Sequence, residues 1–279
     1  MPKPYKGIFP FKIGTTSFIY QDGYVPNVKM LGPYIDEIEL LLFESKPGSL
    51  PKKNEINQLS LLSKEFDITY NIHLPTDIFF GDKDPSVRQH AVETILHVLE
   101  LTSPLSPLTC TLHISYDELS VEKDNILRWQ ELIYQTIKQL INYGVKAEVI
   151  SIENLNYPFE WIEDVVRAFN FKICMDIGHL IVSDRNIKAF FNSYATKISI
   201  IHLHGAKNGL DHLSLERLSK ERVGQIMEIL KKFTKVVSIE VFSYDALVTS
   251  LEFLEKCWGK NELIEQVPQA GFANLHKLS

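Results

Sequence analysis

Residues 172–205 read KICMDIGHLIVSDRNIKAFFNSYATKISIIHLHG, and two short aliphatic runs, Lys172–Leu180 and Ile198–Gly205, flank enough chain for one helix. Parallel strands need a crossover of a dozen or more residues between them, so a strand, a helix and a second parallel strand is the reading. The unit recurs outward in both directions. Phe11–Phe18 (FKIGTTSF), Ile35–Phe43 (IDEIELLLF), Ile68–Leu74 (ITYNIHL), Leu108–Ser115 (LTCTLHIS), Glu148–Leu155 (EVISIENL) and Val236–Ser243 (VVSIEVFS) complete eight runs whose starts fall 24 to 40 residues apart. The intervening segments carry helical periodicity. In Val121–Tyr143, Ile126, Trp129, Ile133, Ile137, Leu140 and Ile141 fall three to four apart, with Gly144 where a helix would be capped. Pro85–Leu101 and Leu215–Phe233 behave alike.

Eight strands alternating with helices, without a linker or composition shift, predict an α/β fold: a single (β/α)8 TIM barrel over residues 1–279, with 259–279 as a C-terminal arm. A doubly wound open sheet is the competitor, but no GxGxxG or Walker-type loop follows an early strand.

Composition narrows the function classes. The chain has 279 residues, 45% of them apolar and 23% charged, which excludes disordered and fibrous classes. Its 29 Lys and Arg against 35 Asp and Glu give a net charge of −6 without a basic run, so no nucleic-acid partner is expected. Three cysteines, Cys110, Cys174 and Cys257, none in a CxxC pair, predict a reducing compartment. No apolar h-region opens the chain and no apolar run approaches the roughly 18 residues of a membrane span, so a cytoplasmic, non-membrane protein acting on a small molecule is expected. The sequence leaves the oligomeric state undefined.

Barrel chemistry sits where strand C-termini converge. His73, His113, His179, His202, His204 and His212, six of nine histidines, lie at or just beyond predicted strand ends. Each taken alone reads best as a core or loop histidine; six on one rim do not. Glu153, Asp176 and Glu240 interrupt apolar strands, and a buried carboxylate without a partner costs several kcal/mol. No lysine or arginine lies inside the last four strands except at their first residues, so divalent metal is the expected partner. Mixed imidazole and carboxylate donors suit zinc, manganese or iron.

With these pieces placed, the chain resembles the xylose-isomerase-like barrel superfamily, which includes sugar isomerases, epimerases and endonucleases of the endonuclease IV type. The matching pieces are His73 in NIHLP, His113 in TLHIS, Glu153 in IENL, Asp176 and His179 in MDIGH, His202 in IHLHGAK, Asp211–His212 in LDHLSL and Glu240 in SIEVF. The resemblance implies one metal on His73, His113 and Glu153, and a second on Glu153, Asp176, His202 and Glu240, with Glu153 bridging. A third would rest on His179 and His212. Endonuclease IV has Asp-x-His in the loop after strand seven, whereas Asp211 and His212 are adjacent here and Leu210 stands two before the histidine. His204 occupies a position filled by asparagine in that endonuclease, which implies a supporting or substrate-facing role. FPFKIGTTSF, IELLLFES, ENLNYPFE, CMDIGHL and IHLHGAKNGLDHLSL are similar to the CbiR group of cobamide-remodelling phosphodiesterases. That implies cleavage of a phosphodiester in the nucleotide loop of a cobamide.

Three readings follow: a phosphodiester hydrolase with two or three divalent ions, a one-metal sugar isomerase or epimerase, and a metal-stabilised binding protein. Glu153 and Glu240 are the expected catalytic carboxylates. In isomerisation they would face one another across a single metal and move a proton beside a carbonyl. Asn154, His204, Asp211 and Glu44 are the expected substrate contacts, with Glu39 a further candidate for the mouth. Phe79–Phe80–Gly81 and Tyr157, Pro158, Phe159 and Trp161 are candidate walls for a large flat ligand.

Overall fold

The computed structural model describes residues 3–117 and 120–265. The eight runs become the staves of a closed barrel. They are β1 (Lys12–Thr16), β2 (Glu37–Leu41), β3 (Thr69–His73), β4 (Cys110–Leu112), β5 (Ile150–Glu153), β6 (Lys172–Asp176), β7 (Ile198–Leu203) and β10 (Val236–Ile239). Pairing follows chain order and β10 closes on β1, every pair being parallel. Between β7 and β10 the chain makes an antiparallel hairpin, β8 (Gly205–Lys207) and β9 (Leu210–Leu213), where the sequence suggested only a loop.

The helices are α1 (Tyr24–Leu31), α2 (Lys53–Phe66), α3 (Pro85–Thr102), α4 (Lys123–Asn142), α5 (Glu163–Ala168), α6 (Ile177–Val182), α7 (Ile187–Tyr194), α8 (Lys220–Leu230) and α9 (Tyr244–Glu265). Local chemistry sets several ends. Pro85 opens α3 behind Asp84, whose side chain accepts from the Ser86 N–H. Gly144, at φ 91°, follows α4, and that helix buries Trp129, Ile133, Ile137 and Leu140 against the barrel. α8 begins at Lys220 because Leu215–Arg217 form a 3-10 turn and Ser219 supplies the cap. Of the stretch 259–279 expected as an arm, residues 259–265 continue α9 and 266–279 lie outside the described residues. Among the described residues no helix is long and apolar enough to cross a membrane.

The main apolar core lies between strands and helices. Among the described residues Cys174, Ile200 and Val236 form a separate small apolar cluster on strands β6, β7 and β10. The lumen carries polar side chains: Glu37, Glu39, Asn71, Thr111, Ser151 and Ser238 are all buried. Apolar layers are the usual filling of such barrels, so this polarity marks a lumen specialised to support what sits at its mouth. Burial, reinforced by Glu39, pushes the Glu37 carboxyl well above the ordinary range, and its Oε1 accepts from the Asn71 N–H at 2.9 Å. Gly14 makes room for it, since a Cβ there would lie 2.0 Å from Glu37 Oε2. Gly14→Ala is expected to cost about 1–3 kcal/mol by overpacking, with part of that loss recovered in the Gly14→Ala/Glu37→Ala double variant. Denaturant unfolding of the set checks this, and additive losses would contradict it.

Candidate metal centre

Parallel register brings the strand ends level: Asp176 pairs with His202 and Glu153 with Cys174 across neighbouring strands. Glu153, at the end of β5, is the hub. Its Oε2 lies 3.0 Å from His113 Nε2, 3.5 Å from His73 Nε2 and 3.6 Å from His202 Nδ1, and its Oε1 lies 3.2 Å from His179 Nδ1. His73 donates Nδ1–H to the Leu74 carbonyl, which leaves Nε2 facing Glu153. His202 Nδ1 also stands 3.1 Å from Glu240 Oε2 and 3.9 Å from Asp176 Oδ2. Donor atoms of Glu153, Asp176, His202 and Glu240 all fall within 4.8 Å of one another, as do those of His73, His113 and Glu153. The resemblance implied these same two groupings.

The Asp-x-x-His spacing has a local explanation. Asp176 caps α6, its Oδ1 accepting from the His179 N–H at 2.6 Å, so one residue ends the strand, starts the helix and fixes where His179 stands. Asn154 does not face substrate as expected. Its amide is buried and exchanges hydrogen bonds with the Asp176 backbone, donating to its carbonyl and accepting from its N–H, each at 2.9 Å. The task is to hold Asp176 in place.

His204 is likewise buried rather than substrate-facing. Its Nδ1 accepts from the His212 N–H at 2.8 Å, so its proton sits on Nε2 and is donated to Asp176 Oδ2 at 3.0 Å. Both nitrogens are committed, and although His204 lies close to His179 and His212 it supports Asp176 instead of offering a lone pair. Gly178 permits this packing, because a Cβ there would lie 1.9 Å from His204 Cε1.

Adjacent residues on a strand point to opposite faces, so Asp211 and His212 should diverge. They do not, because His212 takes a left-handed backbone at φ 50°. His179 donates Nδ1–H to the Asn154 carbonyl and His212 donates its own to the Glu240 carbonyl, leaving both Nε2 atoms free. These flank Asp211, His179 Nε2 at 3.8 Å from Oδ2 and His212 Nε2 at 3.9 Å from Oδ1. Asp211 therefore comes alongside both imidazoles despite the adjacency. A cavity of about 320 Å³ opens beside it, lined by His113, His179 and Asp211 among others.

Glu44 falls outside the cluster: it is exposed, accepts from the Ser49 hydroxyl and sits 3.7 Å from Lys46. Glu39, within β2 itself, is the buried one, with Oε1 3.0 Å from His202 Nε2. The aromatic walls also differ. Phe80, Tyr157 and Phe159 are core, the Tyr157 hydroxyl bonding the Ile114 carbonyl. The rings at the mouth are Phe18, Phe43 and Phe242. Phe43 meets each of the other two edge-on, and Phe43 and Phe242 lie beside His73 and His212. No periodicity distinguishes those three from core phenylalanines.

Divalent ions fit this donor set, since His202 Nδ1 and Glu240 Oε2 are buried without a hydrogen-bond partner and face one another among further acceptors. Protons stand in when metal is absent. Burial opposes charge on His179, yet Asp176 and Glu153 push it up to about 10. Burial likewise opposes charge on His202, but the Cys174 thiol and the carboxylates Glu39 and Glu240 hold it well above the histidine range. Burial works against the ionised form of Glu153, but His113 and His202 keep its carboxyl well below its ordinary value.

The sequence family described as the xylose isomerase-like TIM barrel matches residues 27–257. A comparison with curated proteins gives no match. Among solved structures, the chain is similar to a D-tagatose 3-epimerase-like protein at 21% identity and TM-score 0.74, covering 91% of this chain and 100% of that one. It is similar to an L-ribulose 3-epimerase at 17% identity and TM-score 0.68, covering 96% and 100%. Endonuclease IV from Thermus thermophilus follows at 13% identity and TM-score 0.67, covering 89% and 99%.

The raised His179 pKa sets a pH window. A group whose folded pKa exceeds its unfolded value contributes stability that is complete below about 6.5 and lost as pH rises toward about 10. Chelator-treated protein should therefore lose melting temperature across that window, and added zinc or manganese should restore it while binding more tightly as protons leave the ligands. A flat melting profile in the metal-free protein would contradict this account.

Proposed function

The chain belongs to the xylose isomerase-like TIM-barrel family, and from that premise we propose that it is a metal-dependent phosphodiester hydrolase acting on the nucleotide loop of a cobamide. The observation that carries this reading is the pair His73 and His113, both presenting Nε2 to Glu153 Oε2 beside the four-donor group. One ion for proton transfer would use Glu153, Asp176, His202 and Glu240 and leave that pair without a task.

Two or three divalent ions of zinc, manganese or iron in these groups would supply Lewis acidity and neutralise a phosphoryl group. The chain's own residues do the rest. Glu153 joins the first two donor groups, Asn154 and His204 lock Asp176, and the backbone carbonyls of Leu74, Asn154 and Glu240 fix the tautomers of His73, His179 and His212. Substrate would meet the chain at the part-exposed His113, His179 and Asp211, where the cavity opens. The reaction adds water across a P–O bond, and the leaving oxygen takes up a proton on departure. Phe18 and Phe242, 48% and 39% exposed, present apolar surface suited to a bulky ring system at the rim. The net charge of −6 supports a small diester over a duplex, whose binding draws on many phosphate contacts.

The alternative is a sugar epimerase. What favours it is the same four-donor group, in which Glu153 and Glu240 both approach His202 Nδ1, together with fold likeness to proteins titled as epimerases.

Metal-loaded protein incubated separately with a cobamide, an abasic-site duplex and a panel of keto and aldo sugars, with products followed by mass, tests the assignment. Nucleoside release from the cobamide is expected. Sugar interconversion without diester cleavage would replace the reading with the epimerase, and duplex nicking at a comparable rate would move it to nucleic acid. Glu240→Gln should keep the fold and lower turnover by about 100-fold or more, the scale of losing one group that stabilises developing charge.

A further inference from the structure

His202 is gripped from two sides. Nδ1 faces Glu240, Glu153 and Asp176, while Nε2 reaches across the lumen to Oε1 of Glu39 on β2, 163 residues away in sequence and 3.0 Å away in space. The Thr111 hydroxyl donates to the same Glu39 oxygen at 3.2 Å. Both Glu39 and His202 have no solvent exposure, and Glu39 Oε2 has no hydrogen-bond partner.

We infer that Glu39 is a positioning residue for the metal centre, holding the His202 proton on Nε2 so that the Nδ1 lone pair is offered to the ion. The reasoning is geometric. A neutral imidazole carries one proton, and placing it on Nδ1 would set the Nε2 lone pair against a carboxylate oxygen at 3.0 Å, two acceptors in contact with nothing between them. Placing it on Nε2 makes a charge-assisted hydrogen bond and turns Nδ1 into a fourth acceptor among three carboxylates. Four acceptors around one point need a cation. A carboxylate behind a ligating imidazole also raises its basicity and fixes its plane, and loss of such a partner costs about 10- to 100-fold in metal affinity.

A carboxylate enclosed in the lumen costs several kcal/mol to bury, and Thr111 alone is a modest return for it. Its contact with His202 accounts for its retention here. The inference rests on the reading of His202 as a ligand and is independent of the choice between hydrolase and epimerase.

The experiment compares wild-type protein with Glu39→Ala and Glu39→Gln. Zinc and manganese affinities are measured by chelator competition, and the His202 ring proton is located by heteronuclear NMR of the histidine-labelled, zinc-loaded protein. Wild type should show a proton on Nε2 in a strong hydrogen bond. Glu39→Ala should lose about 10- to 100-fold in affinity with the melting temperature of the metal-free form monitored separately. Glu39→Gln, whose amide oxygen still accepts but without charge, should lose less and shift the Nε2–H resonance upfield. Should Glu39→Ala fail to fold, the Glu39→Gln spectrum decides alone. Wild-type affinity in the alanine variant, or an unmoved Nε2–H resonance in the glutamine variant, overturns the role of Glu39 while leaving the metal reading intact. A wild-type protein that binds neither ion overturns the metal reading itself, and this inference with it.

Discussion

A single carboxylate oxygen, Glu153 Oε2, has three imidazole nitrogens within 3.6 Å, and it sits beneath the surface with Asp176, His202 and Glu240. Concentrating three carboxylates in a volume almost without solvent is among the most expensive arrangements a fold can hold, because each desolvated charge costs several kcal/mol before any attraction is counted. The histidines recover that cost only when they carry protons or share a cation. Almost every local feature of the mouth answers to this constraint. Asn154 and His204 immobilise Asp176, and Asp176 places His179 by capping α6. Gly178 leaves room for the His204 ring.

The barrel is what makes the constraint soluble. Parallel strands align their C-terminal residues within one layer, so donors far apart in sequence meet without any short spacing motif. The lumen below continues the same chemistry with buried Glu37, Glu39, Asn71, Thr111 and Ser238, in place of the branched aliphatic layers that usually fill such barrels. Stability is left to the outer core between strands and helices.

How far this could be read from the sequence depends on which physical rule governs each residue. Strand order and the rim histidines were legible because apolar runs and crossover lengths fix a parallel barrel, and a barrel fixes where strand ends go. Glu44 and Glu39 part company because the apolar run Ile35–Phe43 outlasts the strand, which ends at Leu41: Glu44 falls on the exposed loop beyond it, beside Phe18 and Phe43, and Glu39 inside the lumen. Asn154 and His204 sit at the right place, but sequence does not tell a group facing solvent from one spent on a neighbouring backbone. Asp211 and His212 looked misaligned because the resemblance sets the two residues one apart in a loop, and a single left-handed residue brings adjacent ones to the same side. Phe18, Phe43 and Phe242 carry no signal that separates a rim ring from a core ring.

Charge counting then separates the two chemistries this architecture can serve. Glu153, Asp176 and Glu240 in the first two donor groups and Glu39 behind His202 bring four carboxylates to this region, while burial pushes Glu37 toward its neutral form. One divalent ion leaves that region at about minus two, an environment that tolerates a neutral sugar and repels an anion. Two ions bring it to neutrality. A third ion, which His179, Asp211 and His212 would hold, would add two positive charges against one more carboxylate and leave the mouth net positive, which would favour an anionic diester. The left-handed turn at His212 is therefore more than a local irregularity. By bringing Asp211 alongside two free imidazole nitrogens, it provides the donors through which a barrel shared with epimerases could reverse the sign of its own mouth.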